Sequence, residues 1–304
     1  MLDHALCRWK TPWLRITSAA AALTVLGLCG GLDRSAAASP PGLGWSSPWG
    51  ASTSDAARRD AVQSIPLEKL APDDRAKVES VLSNVSIFRR LPVKVVDCDP
   101  DLYLFLIRHP DVVVNIWEIM KVSQLLVRQI DENQFQLSEP GDTTAQLAFV
   151  YRSHDTHVLY GEGTYEGALA ARPVKGRGVL VLKCGYVRET NGRYYITSRL
   201  DCFMTIAPVG AELFTKTVSP LMGKTADSNF AQTVAFVGSL SRTAETNTRG
   251  VQRLASRLTH VPPEVRARFA EVAANVAEKS ASAAAAEKVR VAEKPNPSAD
   301  SAER

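Results

Sequence analysis

Residues 230–244, FAQTVAFVGSLSRTA, have the clearest helical periodicity in the chain. Apolar and small residues recur at helical spacing and fall on one side of that helix: Phe230, Val234, Val237, Ser241 and Ala244. That side carries little bulk, and its Gly238 is unfavourable, since Gly inside a helix costs roughly 1 kcal/mol relative to Ala. The pattern therefore predicts a helix that either packs closely against a neighbouring element or borders a cavity.

Six strand-like segments precede this helix. Each alternates polar and apolar residues, and turn signals such as Pro140-Gly141-Asp142 and Asn191-Gly192 separate them. Short turns make neighbouring strands antiparallel. The segments are KVSQLLVRQ, NQFQLSE, TTAQLAFVYRS, THVLYGEGTYEG, KGRGVLVLKCGYVRE and GRYYITSRLDCFMTI.

An earlier strand and two short helices complete the predicted order. VKVVDCD, residues 93–99, predicts the strand, and the two helices meet at Pro110, where Asp111 is expected to cap the second. The long helix is expected to span about 227–258. The predicted class is therefore α+β, with an antiparallel sheet of about seven strands, two short helices after the first strand and a long C-terminal helix.

This order of elements resembles the helix-grip fold of the START-like and polyketide-cyclase-like superfamily. The resemblance covers residues 91–258 and rests on element order and length, without a signature motif. It implies a curved sheet that grips the C-terminal helix and a cavity between them for a lipid or another apolar molecule. Because pockets lie between the elements that enclose them, the resemblance favours the cavity at Gly238 and Ser241, where Leu would then fill empty space.

Composition divides the chain into six segments. The N-terminal 1–38 predict a signal peptide, and the Ser-, Pro- and Gly-rich 39–60 predict a flexible linker. The remaining predicted segments are a helical extension over 61–90, the helix-grip-like domain over 91–258, a short amphipathic helix over 259–278 and a disordered or loosely helical low-complexity tail over 279–304.

The N-terminus has the pattern of an export signal. Arg8, Lys10 and Arg15 precede a short apolar run, and an A-x-A pattern predicts cleavage after Ala38. We expect export to the periplasm or the extracellular space, with an uncleaved membrane anchor as the alternative. No other segment is apolar enough over the roughly 20 residues that a membrane span needs.

Charge and cysteine content exclude several classes of function. The net charge of +4 is spread along the chain, so we expect no nucleic-acid partner. After signal removal Cys98, Cys184 and Cys202 remain, too few and too widely spaced for a disulfide framework. In the predicted hairpin Cys184 and Cys202 lie about four residues out of register, so we expect three small buried side chains.

Candidate chemistry is sparse. His154-Asp155-Thr156-His157 offers too few ligands on one side for a metal, and no cofactor motif is present. Glu162 shares a strand face with apolar residues, so we expect it to be partly buried and paired with Arg152, Arg199 or a tyrosine. The candidate ligand-binding residues are Tyr160, Glu162, Tyr165, Tyr186, Val234, Gly238 and Ser241.

Three functional hypotheses follow from these predictions. The first is an exported, non-enzymatic binding protein for a lipid-like or other apolar small molecule. The second is a cyclase- or hydrolase-type enzyme that uses the same cavity, with Glu162 and a tyrosine. The third is a structural or interaction module with an unknown protein partner.

Overall fold

A computed structural model describes residues 49–140, 143–167, 172–207 and 211–292, without the side chains of 211–222 and 286–292. The predicted signal peptide, residues 39–48 of the predicted linker and the last residues of the predicted tail lie outside these ranges.

An eight-stranded antiparallel sheet forms the centre of the molecule. Its strands follow the order β1-β8-β7-β6-β5-β4-β3, and β2 also pairs with β8. The bounds are β1 Ile87–Arg90, β2 Lys94–Asp97, β3 Leu126–Asp131, β4 Gln134–Glu139, β5 Thr143–Arg152, β6 Thr156–Tyr165, β7 Val174–Arg188 and β8 Tyr194–Ile206. The seven predicted strands are confirmed. Strand β1 was missed because it has only four residues, two of which are arginines.

The helices surround the sheet in three groups. Helices α1 (Asp55–Gln63) and α2 (Pro72–Ser83) precede it, α3 (Pro100–Arg108) and α4 (Pro110–Ile119) are the two predicted short helices, and α5 (Ala211–Thr246), α6 (Thr248–Arg257) and α7 (Pro263–Ala292) follow it. None of the helices in the described ranges is long and apolar enough to cross a membrane.

Several helix bounds differ from the sequence prediction. The linker prediction is wrong for its last residues, because Ser54 accepts a hydrogen bond from the Ala57 amide and starts α1. The helix predicted over 227–258 is two helices, since the Asn247 side chain caps α6 by accepting from the Gly250 amide. Helix α7 continues to Ala292, beyond the predicted end at 278. His109, not Asp111, occupies the cap position of α4.

The sheet has two differently covered faces. On the outer face, α1 and α2 pack against a cluster that includes Val158, Tyr160 and Phe203. On the inner face, α3, α5, α6 and α7 cover one half, where Leu182 and Ile196 are buried. Helix α4 covers the other half, with Val114 and Trp117 packed against strands β3 to β5.

Helix α5 approaches the sheet closely at its small residues. A Cβ built on Gly238 would lie 2.3 Å from Val96 Cγ2 and 3.3 Å from the Asp97 carbonyl oxygen. The buried Ser241 hydroxyl accepts a hydrogen bond of 3.0 Å from the Asp99 amide. The expectation of empty space at Gly238 is therefore wrong, and close packing, the alternative prediction, explains the small residues.

This contact predicts that even one methyl group at Gly238 destabilises the fold. Gly238→Ala should lower the free energy of unfolding by about 1–3 kcal/mol, although Ala has the better helix propensity. Val96 is β-branched, and its restricted χ1 limits how far this side chain can move away. Urea denaturation measures the change.

The control is Ala235→Leu, on the exposed side of the same helix. We expect its stability to stay within about 0.5 kcal/mol of the parent protein. A Gly238→Ala variant at least as stable as the parent would show that α5 and β2 do not touch in solution.

Candidate functional site

The structure separates the predicted ligand-binding residues into two groups. Tyr160 and Glu162 lie on the outer face, with the cluster that α1 and α2 cover. Tyr165 and Tyr186 lie on the inner face, in its two different halves. Val234, Gly238 and Ser241 are buried on α5. These residues therefore do not form one site, and any inner-face site excludes Tyr160 and Glu162.

Glu162 differs from its prediction in one respect. Its side chain is exposed, so the expected partial burial is wrong. The expected tyrosine partner is confirmed, since the Tyr160 hydroxyl donates to Glu162 Oε2 over 3.0 Å. Burial and this hydrogen bond raise the pKa of Tyr160 to about 12. The pair is a surface contact of the outer face.

Four glycines lie side by side on the inner face of strands β6 and β7. Gly161 pairs with Gly178 and Gly163 with Gly176 across the two strands. We name these four residues the glycine floor. Along β6 the floor lies between Leu159 and Tyr165, and along β7 between Val174 and Leu180. The apolar middle of the inner face therefore has one patch without side chains.

The neighbouring strands continue this apolar surface. Ala145 and Leu147 of β5 pair with Gly163 and Gly161, and Met204 and Ile206 of β8 pair with Gly178 and Gly176. All four of these neighbours belong to one buried cluster. The glycine floor is thus the centre of an apolar area that extends over four strands.

The sheet curls sharply beside the floor, and this curl requires glycine at position 163. A Cβ there would lie 2.5 Å from the Thr144 carbonyl oxygen and 2.7 Å from Ala145 Cβ. Real Cβ atoms do not approach backbone that closely, so strand β6 bends toward β5 only with Gly at this position. The bend makes the inner face concave at the floor.

A cluster of polar groups is buried at one end of the same face. His109 and Asp111 come from the junction of α3 and α4, and His157 comes from β6. The proline at 110 ends α3 and starts α4, which directs the two side chains inward. Neither Asp111 nor His157 has any exposed surface. We name these three residues the His–Asp cluster.

The His–Asp cluster contains polar atoms without hydrogen-bond partners among the described residues. They are both ring nitrogens of His157 and Nδ1 of His109. His109 Nδ1 and Asp111 Oδ1 are 3.9 Å apart, too far for a hydrogen bond. Since an unpaired buried polar group costs about 1–3 kcal/mol, these atoms call for a bound molecule or water.

Aromatic rings and arginines surround the His–Asp cluster. The ring of Phe105 lies 4.5 Å from that of His109, and the ring of Phe149 lies 6.3 Å from that of His157. Arg152 lies over the Phe149 ring at 5.6 Å. Arg108 connects α3 to the β5–β6 turn by donating to the Ser153 carbonyl oxygen over 3.4 Å.

This environment shifts the pKa of all three groups. Burial, and then the charges of Arg152 and Arg108, lower the pKa of His109 to about 4. Burial and then the same two arginines lower the pKa of His157 to about 4. Burial raises the pKa of Asp111 to about 6. Both imidazoles are therefore neutral at neutral pH, and Asp111 titrates close to it.

His260, a partly exposed histidine in the same region, has a partner at Nδ1. Its Nδ1 lies 2.8 Å from Glu118 Oε2, and Asn115 accepts a hydrogen bond of 2.9 Å from the Thr259 amide. This network joins α4 to the loop before α7. The pairing of His260 Nδ1 distinguishes this histidine from His109, whose Nδ1 has no partner among the described residues.

The described residues contain no group of three or more His, Cys, Asp or Glu side chains placed to hold a metal ion. Cys98, Cys184 and Cys202 are buried free thiols, as predicted. Cys184 pairs with Ser198 and Cys202 with Leu180, which confirms the offset between the two cysteines. Burial raises the pKa of Cys98 to about 12 and that of Cys184 to about 11, so neither is a ready nucleophile.

Sequence reasoning missed the His–Asp cluster because its members are far apart in the chain. His109 is distant from His157 in the sequence, and the pattern at Asp111 predicts only a helix cap. One signal was available: His-Pro-Asp interrupts an apolar stretch, so polar side chains enter a region that is otherwise buried. The glycine floor was visible in part, as Gly161-Glu162-Gly163.

The raised pKa of Asp111 makes stability depend on pH. Its carboxyl is protonated in both folded and unfolded chains below about pH 3 and ionised in both above about pH 7, and the ionised form is penalised only when folded. Asp111→Asn should therefore raise the free energy of unfolding by about 3 kcal/mol above about pH 7, and by little below about pH 3. Urea denaturation at the two pH values measures the difference.

The two histidines also make the stability of the fold depend on pH, in the opposite direction to Asp111 and over an overlapping pH range. Because their folded-state pKa is lowered from 6.5 to about 4, they destabilise the fold as pH falls through that range. Both histidines are present in the parent protein and in Asp111→Asn, so their effect on stability cancels when the two are compared. An Asp111→Asn variant that is less stable than the parent at both pH values would show that the carboxylate is satisfied in the fold.

Comparison with known proteins gives structural similarity only. No protein-family profile and no curated protein sequence matches the chain. The hypothetical protein jhp0584 from Helicobacter pylori is 13% identical over 49% of this chain and 87% of its own, with a TM-score of 0.31. A conserved protein from Geobacillus kaustophilus is 10% identical over 46% of this chain and 93% of its own, with a TM-score of 0.29.

A third solved structure is the di-domain ARO/CYC StfQ from the steffimycin biosynthetic pathway. It is 15% identical over 61% of this chain and 55% of its own, with a TM-score of 0.26. Similarity at this level establishes neither a family nor a function for the chain.

Proposed function

We propose that the protein binds an apolar small molecule, such as a lipid, on the inner face of its sheet. The glycine floor is the observation that carries this proposal. Four glycines in register leave a patch without side chains in the middle of a concave apolar face, and Gly161 and Gly178 are buried.

The proposed site differs from the one expected on α5. Gly238 and Ser241 contact the β2 segment and leave no room for a ligand there. Leu159, Leu180 and Tyr165 border the floor and supply apolar surface, and Tyr165 adds a hydroxyl. Catalysis by Glu162 forms no part of the proposal, because Glu162 is exposed on the outer face.

We also propose that the protein acts after export, with residues 1–38 removed. The basic residues, the apolar run and the A-x-A pattern support this. N-terminal sequencing of the protein from its own cells is expected to give Ser39 as the first residue. A chain that starts at Met1 and is found in the cytoplasm would contradict export.

A neutral fluorescent probe tests the binding site. We expect a naphthylamine probe to bind the parent protein, and Gly178→Val to weaken binding at least about tenfold, because its side chain would occupy the floor. Gly178→Ala, which adds a single methyl group, should give a smaller loss. Fluorescence titration gives the affinities, and thermal melting shows that each variant is folded.

The matched control is Gly185→Val on the same strand. Gly185 is exposed, and the nearest atom to a Cβ there is Thr197 Cβ at 3.9 Å, so the added side chain meets open space. We expect unchanged probe binding. A parent protein that does not bind the probe, or equal losses in Gly178→Val and Gly185→Val, would overturn the proposed site.

A further inference from the structure

Arg108 has no carboxylate partner among the described residues. Its Nε is buried and has no hydrogen-bond partner there. Its one hydrogen bond to a described residue is the long one from Nη2 to the Ser153 carbonyl oxygen. Among the described residues no carboxylate lies within ion-pair distance of it, whereas Arg152 pairs with Glu132 at 3.0 Å. A partly buried guanidinium of this kind is complementary to a carboxylate oxygen.

The histidines extend this set of donors. His157 is wholly buried with both ring nitrogens unpaired, and His109 has a buried unpaired Nδ1. A neutral imidazole donates from one ring nitrogen, so each of them can give a hydrogen bond to an oxyanion. Arg108 and Arg152 act on the pKa of both rings, which places the four side chains in one neighbourhood.

Strand β6 connects this neighbourhood to the glycine floor. His157, Leu159 and Gly161 alternate along its inner face. At about 3.3 Å per residue, His157 and Gly161 are about 13 Å apart along the strand. Leu159, which lies between them, is apolar and packs with the surrounding cluster. The inner face therefore carries polar groups at one end and apolar surface in its middle. The distance between them matches that between the head group of an elongated ligand and its chain.

We propose that Arg108, His109 and His157 bind the carboxylate head of an elongated ligand whose apolar chain lies on the glycine floor. This inference rests on the proposed function, since it adds a head group to the same apolar site. The ligand class is a long-chain carboxylic acid.

Asp111 has a defined part in this arrangement. Its carboxyl is wholly buried, 3.9 Å from His109 Nδ1, and faces no ion-pair partner closer than that. When ionised it repels a carboxylate head, and when protonated it donates to one. The charged or titratable groups that act on His157 are Arg108, Arg152, Asp155 and His154. Asp111 therefore opposes acid binding at neutral pH, while Arg108 favours it.

Matched ligands separate this inference from the proposed function. Dodecanoate and methyl dodecanoate have the same chain, and only the acid carries the anionic head. In competition with the neutral naphthylamine probe, we expect the parent protein to bind dodecanoate at least about tenfold more tightly than the ester. Binding of neither ligand would overturn both proposals, whereas equal binding would overturn the head-group assignment alone.

Two variants are expected to act in opposite directions on the acid. Arg108→Gln should weaken dodecanoate binding about tenfold or more, and Asp111→Asn should strengthen it, while methyl dodecanoate binding stays unchanged in both. Arg188→Gln, at an exposed site on β7, is the matched control and should change neither. Loss of acid and ester binding together in Arg108→Gln would show a structural role for Arg108. An unchanged acid-to-ester ratio would show that only water occupies the His–Asp cluster.

Discussion

The bend of the sheet at Gly163 is the constraint on which the rest of the structure depends. A side chain there would collide with the Thr144 carbonyl oxygen at 2.5 Å, so the approach of β6 to β5 is available only to glycine. The bend makes one face of an antiparallel sheet concave, and a concave face needs helices to cover it. Helices α3 and α4 and the helices after β8 meet that need, and α1 and α2 cover the opposite face.

Close packing and incomplete packing occur on the same inner face. Where α5 crosses β2, Gly238 and Ser241 bring the two backbones together and leave no space. Two and three strands away from β2, glycines are paired on β7 and β6. Unpaired polar atoms then lie where α4 begins. Buried groups of this kind lower stability, and proteins keep them chiefly at sites of function.

The sequence predicts the class of fold well, because alternation and turn signals are local properties. The long hairpin of β7 and β8 is marked by Asn191-Gly192, and Pro110 separates α3 from α4. Predictions failed where a single side chain decides the outcome. Asn247 ends the long helix by capping the next one, and the periodicity of its neighbours gives no sign of it. Glu162 lies in the predicted strand. On its face of β6, however, burial ends at Tyr160, so Glu162 is exposed.

The candidate site was harder to predict than the fold, since it is formed by residues distant in the chain. The register of β6 against β7 aligns the glycines, and the contact of Arg108 with the β5–β6 turn brings His109 toward His157. Neither alignment follows from spacing in one sequence. Gly238 shows the reverse case. The small residues of its helix are evident in the sequence, but they fit both close packing and a cavity. Only the distance to Val96 distinguishes the two interpretations.

Photo-crosslinking tests the central claim, that the inner face binds an amphipathic acid, most directly. A fatty acid with a diazirine at the end of its chain would be irradiated in the full-length protein, and the labelled peptide identified by mass spectrometry. The account predicts a label on β6 or β7 around the glycine floor that excess dodecanoate removes. A label on α1 or α2, which cover the outer face, or a label that dodecanoate does not displace, would contradict it.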